Sequence, residues 1–291
     1  MAQPVCTCFD RIISADYQRE RAITHTTLLA AYRAAIDERA KTISKSLSKN
    51  SRFNEHVALI GDLGHLSVED PVHVLRMAVI NQKKWQNAYT LRCRFLDGND
   101  SQRSRVQDKA TIWHQYANIN IVFVDDVDAE IRISFQADSG SWSAIGNDCL
   151  VSSYFPPYQP TMNFGWLRDD TPDQEYERVV VHEFGHALGC IHEHQSPTEN
   201  LNWNREAVYQ TFSGPPNFWT KDEIDQNILK KYSPEGISAT QFDPKSIMLY
   251  QFDGTLFTDG KGTPLNTHLS DLDSKMIAEM YPAAPRDNVA T

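Results

Sequence analysis

The sequence has few cysteines, and their spacing shows no pattern. Its 291 residues include five cysteines, an odd number, and the spacings suggest no disulfide framework. We therefore do not expect disulfides to hold this fold together. Cys93 lies in an apparent strand and Cys190 behind a predicted helix, and both are interpreted as small buried residues. The other three are Cys6, Cys8 and Cys149.

Long apolar runs and an excess of basic residues are also missing. No run approaches the roughly 18 consecutive apolar residues that indicate a membrane-spanning helix. Acidic residues number 38 and basic residues 28, which gives a net charge of −10. This balance argues against a broad nucleic-acid footprint or contact with an anionic membrane. We therefore expect neither nucleic acid nor a membrane as a partner, and we expect a monomer.

Targeting signals and repeats are not recognisable either. The first residues, M-A-Q-P-V-C-T-C-F-D-R, lack the basic and apolar regions of a standard secretory signal. No internal repeat or low-complexity tract is visible. The compartment stays open between the cytoplasm and export without a standard signal, and the reduced-looking cysteines favour the cytoplasm.

What the sequence does contain is a metal-ligating motif between Val179 and Pro197. His182 and His186 are four residues apart, and on a helix this spacing places both imidazoles on one face, about 6 Å apart along the axis. Two such imidazoles can bind one zinc ion at roughly 2.0–2.1 Å each. We expect Glu183 to face the same cleft without being a ligand, which suits a general base for a zinc-bound water.

A glycine and a third histidine extend this motif. Gly189 can adopt a left-handed backbone that ends the helix and turns the chain. Three residues later, His192 can return to the metal. Three histidines leave the fourth zinc position open, which is typical of a catalytic site with one Zn²⁺. The alternative is a surface helix whose histidines are solvated.

The complete string, H-E-x-x-H-x-x-G-x-x-H, resembles the metzincin zinc endopeptidases. Downstream, Ser246–Tyr250 reads S-I-M-L-Y and resembles the methionine turn of the astacin group within that family. The resemblance implies that Met248 packs beneath the metal. It also implies that Tyr250 is a switchable fifth zinc ligand, which on release hydrogen-bonds the oxyanion. Taken alone, S-I-M-L-Y is more typical of a buried strand or turn.

A second resemblance concerns the segment from Gly140 to Gly146, G-S-W-S-A-I-G. It is similar to the edge-strand segment of astacins, with Trp142, Ser143 and Ala144 as the substrate-pairing residues. An exposed edge offers N–H and C=O groups to an extended peptide and would lay it across the zinc. The alternative is a turn of small residues that holds a buried tryptophan.

Three departures separate the chain from typical astacins. Gln195–Asn200 replaces the usual S-R-x-D-R-D, Leu249 stands where a histidine is usual, and the astacin disulfides have no counterparts. Glu193 matches the glutamate that anchors the mature N-terminus in astacins, but its role here is left open. Cys6 or Cys8 would be positioned to cap the zinc if the enzyme is kept latent by a cysteine, whereas two free thiols are the plainer interpretation.

The predicted fold is α+β. The resemblance implies a catalytic domain over residues 79–283 with a mixed five-stranded sheet, a zinc-binding helix and a less regular C-terminal subdomain. Residues 1–78 are predicted to be a mostly helical extension or pro-segment, with one helix over 22–47, and residues 284–291 a disordered tail. Strands are predicted at Thr90–Phe95, Ile119–Val124, Ile131–Phe135 and Thr161–Gly165, and helices at Ser104–Tyr116, Asn204–Phe212, Lys221–Tyr232 and Asp271–Tyr281.

These motifs predict a zinc-dependent metalloendopeptidase that hydrolyses internal peptide bonds of polypeptides. In this hypothesis Glu183 activates the zinc-bound water. One alternative is a zinc hydrolase of a non-protein amide, and another is a latent or non-catalytic binding module with the same fold. A glutamate as third ligand from a later helix is disfavoured by Gly189 and His192.

Overall fold

The structure, a computed structural model, describes residues 83–215, 217–232 and 241–283. The helix predicted over 22–47, the thiols of Cys6 and Cys8, and the tail from 284 lie outside these ranges. Within them, no helix combines the length and apolar character that crossing a membrane requires.

A five-stranded mixed sheet organises the N-terminal half of the described chain. Its strands are β1 (Thr90–Phe95), β2 (Asn120–Phe123), β3 (Ile131–Ser134), β4 (Ser141–Ser143) and β5 (Met162–Phe164). The order is β2-β1-β3-β5-β4, with all neighbours parallel except the antiparallel pair β4 and β5. The prediction of a mixed, mostly parallel sheet is confirmed, and each predicted strand agrees with an observed one to within one residue at either end.

Helix α1 (Asp100–Ala110) packs beside the zinc-motif helix and begins earlier than predicted. The Asn99 side chain accepts the N–H of Gln102, and the Gln102 side chain accepts the N–H of Asn99. This reciprocal cap starts the helix at Asp100, four residues before the predicted Ser104. The predicted C-terminal part is a separate 3₁₀ turn, Thr111–Gln115.

The remaining helices are α2 (Asp173–Ala187), α3 (Arg205–Ser213), α4 (Lys221–Ile224) and α5 (Asp271–Met280). The helix predicted over Lys221–Tyr232 is therefore broken, with a π turn at Asp225–Leu229. The Gln195 side chain donates to the carbonyls of Gln226 and Lys230. The Gln195 amide thus satisfies both carbonyls, so they do not need the backbone N–H groups that a continued α-helix would supply.

The C-terminal half has an apolar cluster of its own. Its buried members come from α3, α4, the π turn, the last residue of the predicted methionine turn and the chain that follows it. They are Val208, Phe212, Ile224, Ile228, Tyr250, Phe252, Leu256 and Phe257. Since Tyr250 belongs to this cluster, packing of the C-terminal half positions a predicted site residue.

Candidate metal centre and active site

Helix α2 carries the central part of the motif and ends where the glycine predicts. Its start is acidic, with Asp173 and Glu175 in the first turn near the positive end of the helix dipole. At its end, Gly189 has φ +103° and donates to the His186 carbonyl, and the Cys190 N–H donates to the Gly185 carbonyl. This pair of bonds is a Schellman motif, which requires the left-handed residue that glycine supplies.

Two further carbonyls at the end of α2 are held by aromatic side chains from distant parts of the chain. Trp85 Nε1 donates to the Ala187 carbonyl at 2.8 Å, and the Tyr281 hydroxyl donates to the Leu188 carbonyl at 2.7 Å. The Trp85 N–H in turn donates to the Tyr281 hydroxyl, and Asn87 Nδ2 donates to the Pro282 carbonyl. The residues before β1 and those after α5 therefore meet at the helix end.

Three imidazoles converge just inside this helix end. The Nε2 atoms lie 3.2 Å apart in His182 and His186, 3.1 Å apart in His186 and His192, and 3.3 Å apart in His182 and His192. All three residues are buried. The structure thus brings together the three histidines that the sequence predicted as ligands.

The contacts of the Nδ1 atoms determine that the Nε2 atoms of His182 and His186 face the space between the three rings. His182 Nδ1 lies 2.8 Å from the Ile247 carbonyl oxygen, and His186 Nδ1 lies 2.9 Å from the Cys190 carbonyl oxygen. A carbonyl only accepts, so each Nδ1 carries the proton and each Nε2 presents a lone pair. Burial and the two neighbouring imidazoles lower the pKa of His182 well below its ordinary value, which keeps it in the neutral form that binds metal.

This donor set fits a zinc ion. Lone pairs that face each other at 3.2 Å repel unless a cation lies between them. Nitrogens arranged tetrahedrally around zinc at about 2.0–2.1 Å are separated by roughly 3.3 Å, close to the observed spacing. In the described part of the chain, these three histidines form the group of potential metal ligands.

Glu183 lies beside the first histidine on α2 and is fully buried. Its position also places it one turn before His186, on a neighbouring part of the helix surface.

The predicted methionine turn lies against this centre. The Tyr250 ring centroid is 4.1 Å from that of His192 and 5.5 Å from that of His182. His194 adds a ring at 5.1 Å from Tyr250. Tyr250 is therefore beside two of the three imidazoles.

Met248 packs against α2 between the first two histidines. A Cβ atom added at Gly185 would lie 2.5 Å from Met248 Sδ and 3.2 Å from Trp113 Cζ2. No side chain fits at that distance, so the glycine lets the methionine approach the helix backbone. The Glu193 N–H also donates to the Met248 carbonyl at 3.0 Å, which joins the turn to the segment after His192.

Asp273 is a supporting residue to which the sequence analysis gave no role. Its buried carboxylate accepts the Ser246 hydroxyl at 2.7 Å, the Ile247 N–H at 2.8 Å and the Ser270 N–H at 3.0 Å. It therefore caps α5 and also binds the N–H of Ile247, the residue whose carbonyl, in the next peptide group, accepts from His182. The spacing from Ser270 to Asp273 predicts the cap, but no local signal predicts the bonds to the turn.

Glu193, which the resemblance relates to an N-terminal anchor, faces the same region. Its carboxylate accepts the Asp243 N–H at 2.8 Å. Burial, together with the nearby Asp273 and Asp243, raises the pKa of Glu193 to about 7.

The segment predicted to pair with substrate forms β4. In the described part of the chain β4 is the last strand of the sheet, and Trp142, Ser143 and Ala144 are at most 1% exposed. The Asn163 side chain of β5 supports the approach to this strand. It accepts the Ser134 hydroxyl and donates to the carbonyl of Gly140, immediately before β4.

Comparisons with known proteins agree with this geometry. The family model described as Matrixin, Peptidase_M10, matches residues 84–201. Among curated proteins no sequence matches the chain. A solved structure of myroilysin has 38% sequence identity and a TM-score of 0.68, and the match covers 70% of this chain and 98% of that one.

Two other solved structures are similar to a lesser degree. A crystal structure of myroilysin has 39% identity and a TM-score of 0.55, and the match covers 69% of this chain and 86% of that one. The third is high choriolytic enzyme 1, a hatching enzyme zinc-protease from the medaka fish Oryzias latipes. It has 15% identity and a TM-score of 0.46, and the match covers 70% of this chain and 96% of that chain.

Proposed function

Because the chain belongs to the metzincin zinc endopeptidases, we propose that it hydrolyses internal peptide bonds of polypeptides with Glu183 as the general base. In this proposal His182, His186 and His192 hold one catalytic zinc ion, and residues 79–283 form the catalytic domain. Residues 1–78 are an extension whose effect on activity is open. The observation that carries the proposal is the triangle of Nε2 atoms, with two of the rings fixed by carbonyl acceptors.

Zinc bound to three neutral imidazoles supplies Lewis-acid polarisation of a carbonyl and lowers the pKa of water. The residues of the chain supply the proton transfers. Glu183 accepts a proton from the attacking water and passes it to the leaving amine. Its buried position next to His182 on α2 supports this role.

Tyr250 is proposed to donate its hydroxyl hydrogen to the oxygen that becomes negative during attack. Its ring position beside His192 supports this role. As a fifth ligand in the resting enzyme, the same hydroxyl would have to leave the zinc before it could act as a donor. Met248 provides the apolar floor against which α2 and its histidines pack.

The substrate is proposed to be a polypeptide that pairs with β4 through its main chain, alongside Trp142, Ser143 and Ala144. The position of β4 at the edge of the sheet supports this arrangement. A non-protein amide would gain nothing from a strand edge, which is why the polypeptide is favoured.

The test is cleavage of an unfolded protein mixture by the zinc-loaded full-length chain, with new termini identified by mass spectrometry. Glu183→Ala should retain zinc and abolish the internal cuts. The matched control is Glu177→Ala on the same helix, whose carboxylate pairs with Lys109 and His268 on the surface and should be dispensable for turnover.

Three results would contradict the proposal in different ways. Near-normal activity of Glu183→Ala would remove Glu183 as the base. Cleavage that survives removal of zinc by a chelator would exclude the metal centre. Binding without cleavage by the wild-type chain, also after deletion of residues 1–78, would favour the non-catalytic alternative.

A further inference from the structure

The connection between β4 and β5 presents an exposed aromatic side chain in a backbone conformation that does not suit it. We call residues 151–160 the Tyr158 loop. Tyr158 has φ +69° and is 69% exposed. The left-handed region is unfavourable for a bulky L residue, and glycine or asparagine would adopt it more easily. The fold itself therefore gives no reason for a tyrosine here.

The loop is braced from within by a buried arginine. Arg132, on β3, is 8% exposed, and its Nε donates to the Gln159 carbonyl at 2.7 Å. Its Nη2 donates to the Phe155 carbonyl at 3.1 Å. Pro156 and Pro157 restrict the backbone between these two anchor points. Strained conformations persist only where the surroundings determine them in this way, and they concentrate at functional sites.

The same loop is attached to the strand that is proposed to pair with substrate. The Ala144 N–H donates to the Thr161 carbonyl at 2.8 Å, which closes the loop directly beyond β4. The ring of Trp142 on β4 stacks on Phe155 with centroids 6.4 Å apart. A chain laid along β4 and continuing past Ala144 would therefore leave the sheet near the point where the Tyr158 loop ends.

Apolar side chains make up the tip of this loop. Besides Tyr158, Pro156 and Pro157 are exposed, whereas Pro160 is buried, and Leu150, directly before the loop, is 51% exposed. The other exposed residues of the loop, Ser152, Ser153 and Gln159, are polar but uncharged. An aromatic ring beside prolines can contact extended, apolar or proline-containing segments without a large loss of side-chain entropy.

We propose that the Tyr158 loop is a second contact surface for the polypeptide substrate, and that it binds an extended apolar segment several residues away from the cleaved bond. The proposal rests on the proposed endopeptidase function and adds to it a preference for substrates with apolar flanking sequence. Each residue of an extended substrate adds about 3.3 Å, so the contact would depend on the length of the substrate beyond the end of β4.

The experiment compares two peptides with the same cleavage sequence in the zinc-loaded full-length chain. One ends shortly after the residues that pair with β4, and the other continues with an apolar, proline-containing segment at either end. The wild-type enzyme should prefer the long peptide. Tyr158→Asn should reduce the ratio of the two kcat/KM values by roughly three- to tenfold, through KM.

The matched control is Phe218→Asn, because Phe218 is also 69% exposed with a positive φ of 52° but lies between α3 and α4. Both substitutions should leave the melting temperature unchanged or raise it, since both relieve an unfavourable backbone. An equal loss of the peptide ratio in Phe218→Asn would overturn the proposal, and so would an unchanged ratio in Tyr158→Asn.

Affinity measured in the Glu183→Ala background separates this proposal from the proposed function. If the wild-type chain cleaves neither peptide, but Tyr158→Asn still weakens binding of the long peptide, the endopeptidase assignment fails and the contact surface stands. If the long and short peptides bind equally tightly whether Tyr158 is present or not, the contact surface is refuted whatever the enzyme cleaves.

Discussion

Replacing one oxygen of Asp273 by nitrogen should weaken zinc binding from a position that does not touch the metal. In Asp273→Asn the side chain keeps its shape, but the new NH₂ group faces either the Ser246 hydroxyl, which must then accept instead of donate, or the Ile247 and Ser270 N–H groups, which cannot accept. In either case Ile247 loses its bond to a charged carboxylate and is held less firmly. The carbonyl of the same residue is the acceptor for His182 Nδ1. We therefore expect the first histidine to be held less firmly.

The structure sets the size of the effect. A hydrogen bond to a charged group contributes about 1.5–3 kcal/mol, and a buried donor left unsatisfied costs about 1–3 kcal/mol. Since Asp273 is 4% exposed and loses one strong acceptor, the free energy of unfolding should fall by about 2–4 kcal/mol. Loss of a residue that orients a metal ligand typically weakens metal binding by about 10- to 100-fold.

The assay is zinc affinity by competition with a chromogenic chelator, measured together with urea unfolding. Asp271→Asn is the control, because it makes the same substitution at an exposed position in the first turn of the same helix. It should cost less than about 1 kcal/mol and leave zinc affinity unchanged. If Asp273→Asn were destabilised but bound zinc as tightly as the wild type, the carboxylate would cap α5 without supporting His182, and the prediction would be wrong.

Two further predictions concern the floor and the edge of the metal centre. Gly185→Ala should lower the free energy of unfolding by up to about 2 kcal/mol, because overpacking against Met248 and Trp113 outweighs the helix preference of alanine. Urea unfolding checks this, and the cost should shrink in a Met248→Ala background; an additive cost in the double variant would contradict it. Tyr250→Phe keeps the ring against His192 but should lower kcat by about 100-fold or more, with zinc content unchanged. An undiminished kcat on a peptide substrate would remove the hydroxyl from the chemical step.

The parts of the fold that local sequence predicts are those whose signals are themselves local. β1 was predicted with its observed bounds because alternating residues define it. The start of α5 follows from Ser270, whose side chain caps the helix three residues ahead. The end of α2 follows from Gly189, since few other residues adopt its backbone.

Apart from the start of α1, whose cap is local, the errors come from contacts between residues distant in the sequence. The helix expected from Lys221 breaks because Gln195 binds two carbonyls near its end, which belong to residues 31 and 35 positions later in the chain. In the metal centre, spacing alone predicts which histidines converge. It does not predict that the Ile247 carbonyl orients His182, or that Asp273 holds Ile247, because these bonds span 65 and 26 residues. Hydrophobic periodicity contains no information about such pairs.

The meeting of Trp85 with Tyr281 beneath the zinc-motif helix has a consequence for chain connectivity. Because Asn87 also donates to the Pro282 carbonyl at 2.8 Å, the segments Trp85–Asn87 and Tyr281–Pro282 lie within reach of a short linker. The chain from Trp85 to Pro282 therefore begins and ends at nearly the same place. Joining these ends and opening the exposed connection at residues 125–128 would give a circular permutant in which the helix, its three histidines and both aromatic supports are covalently intact.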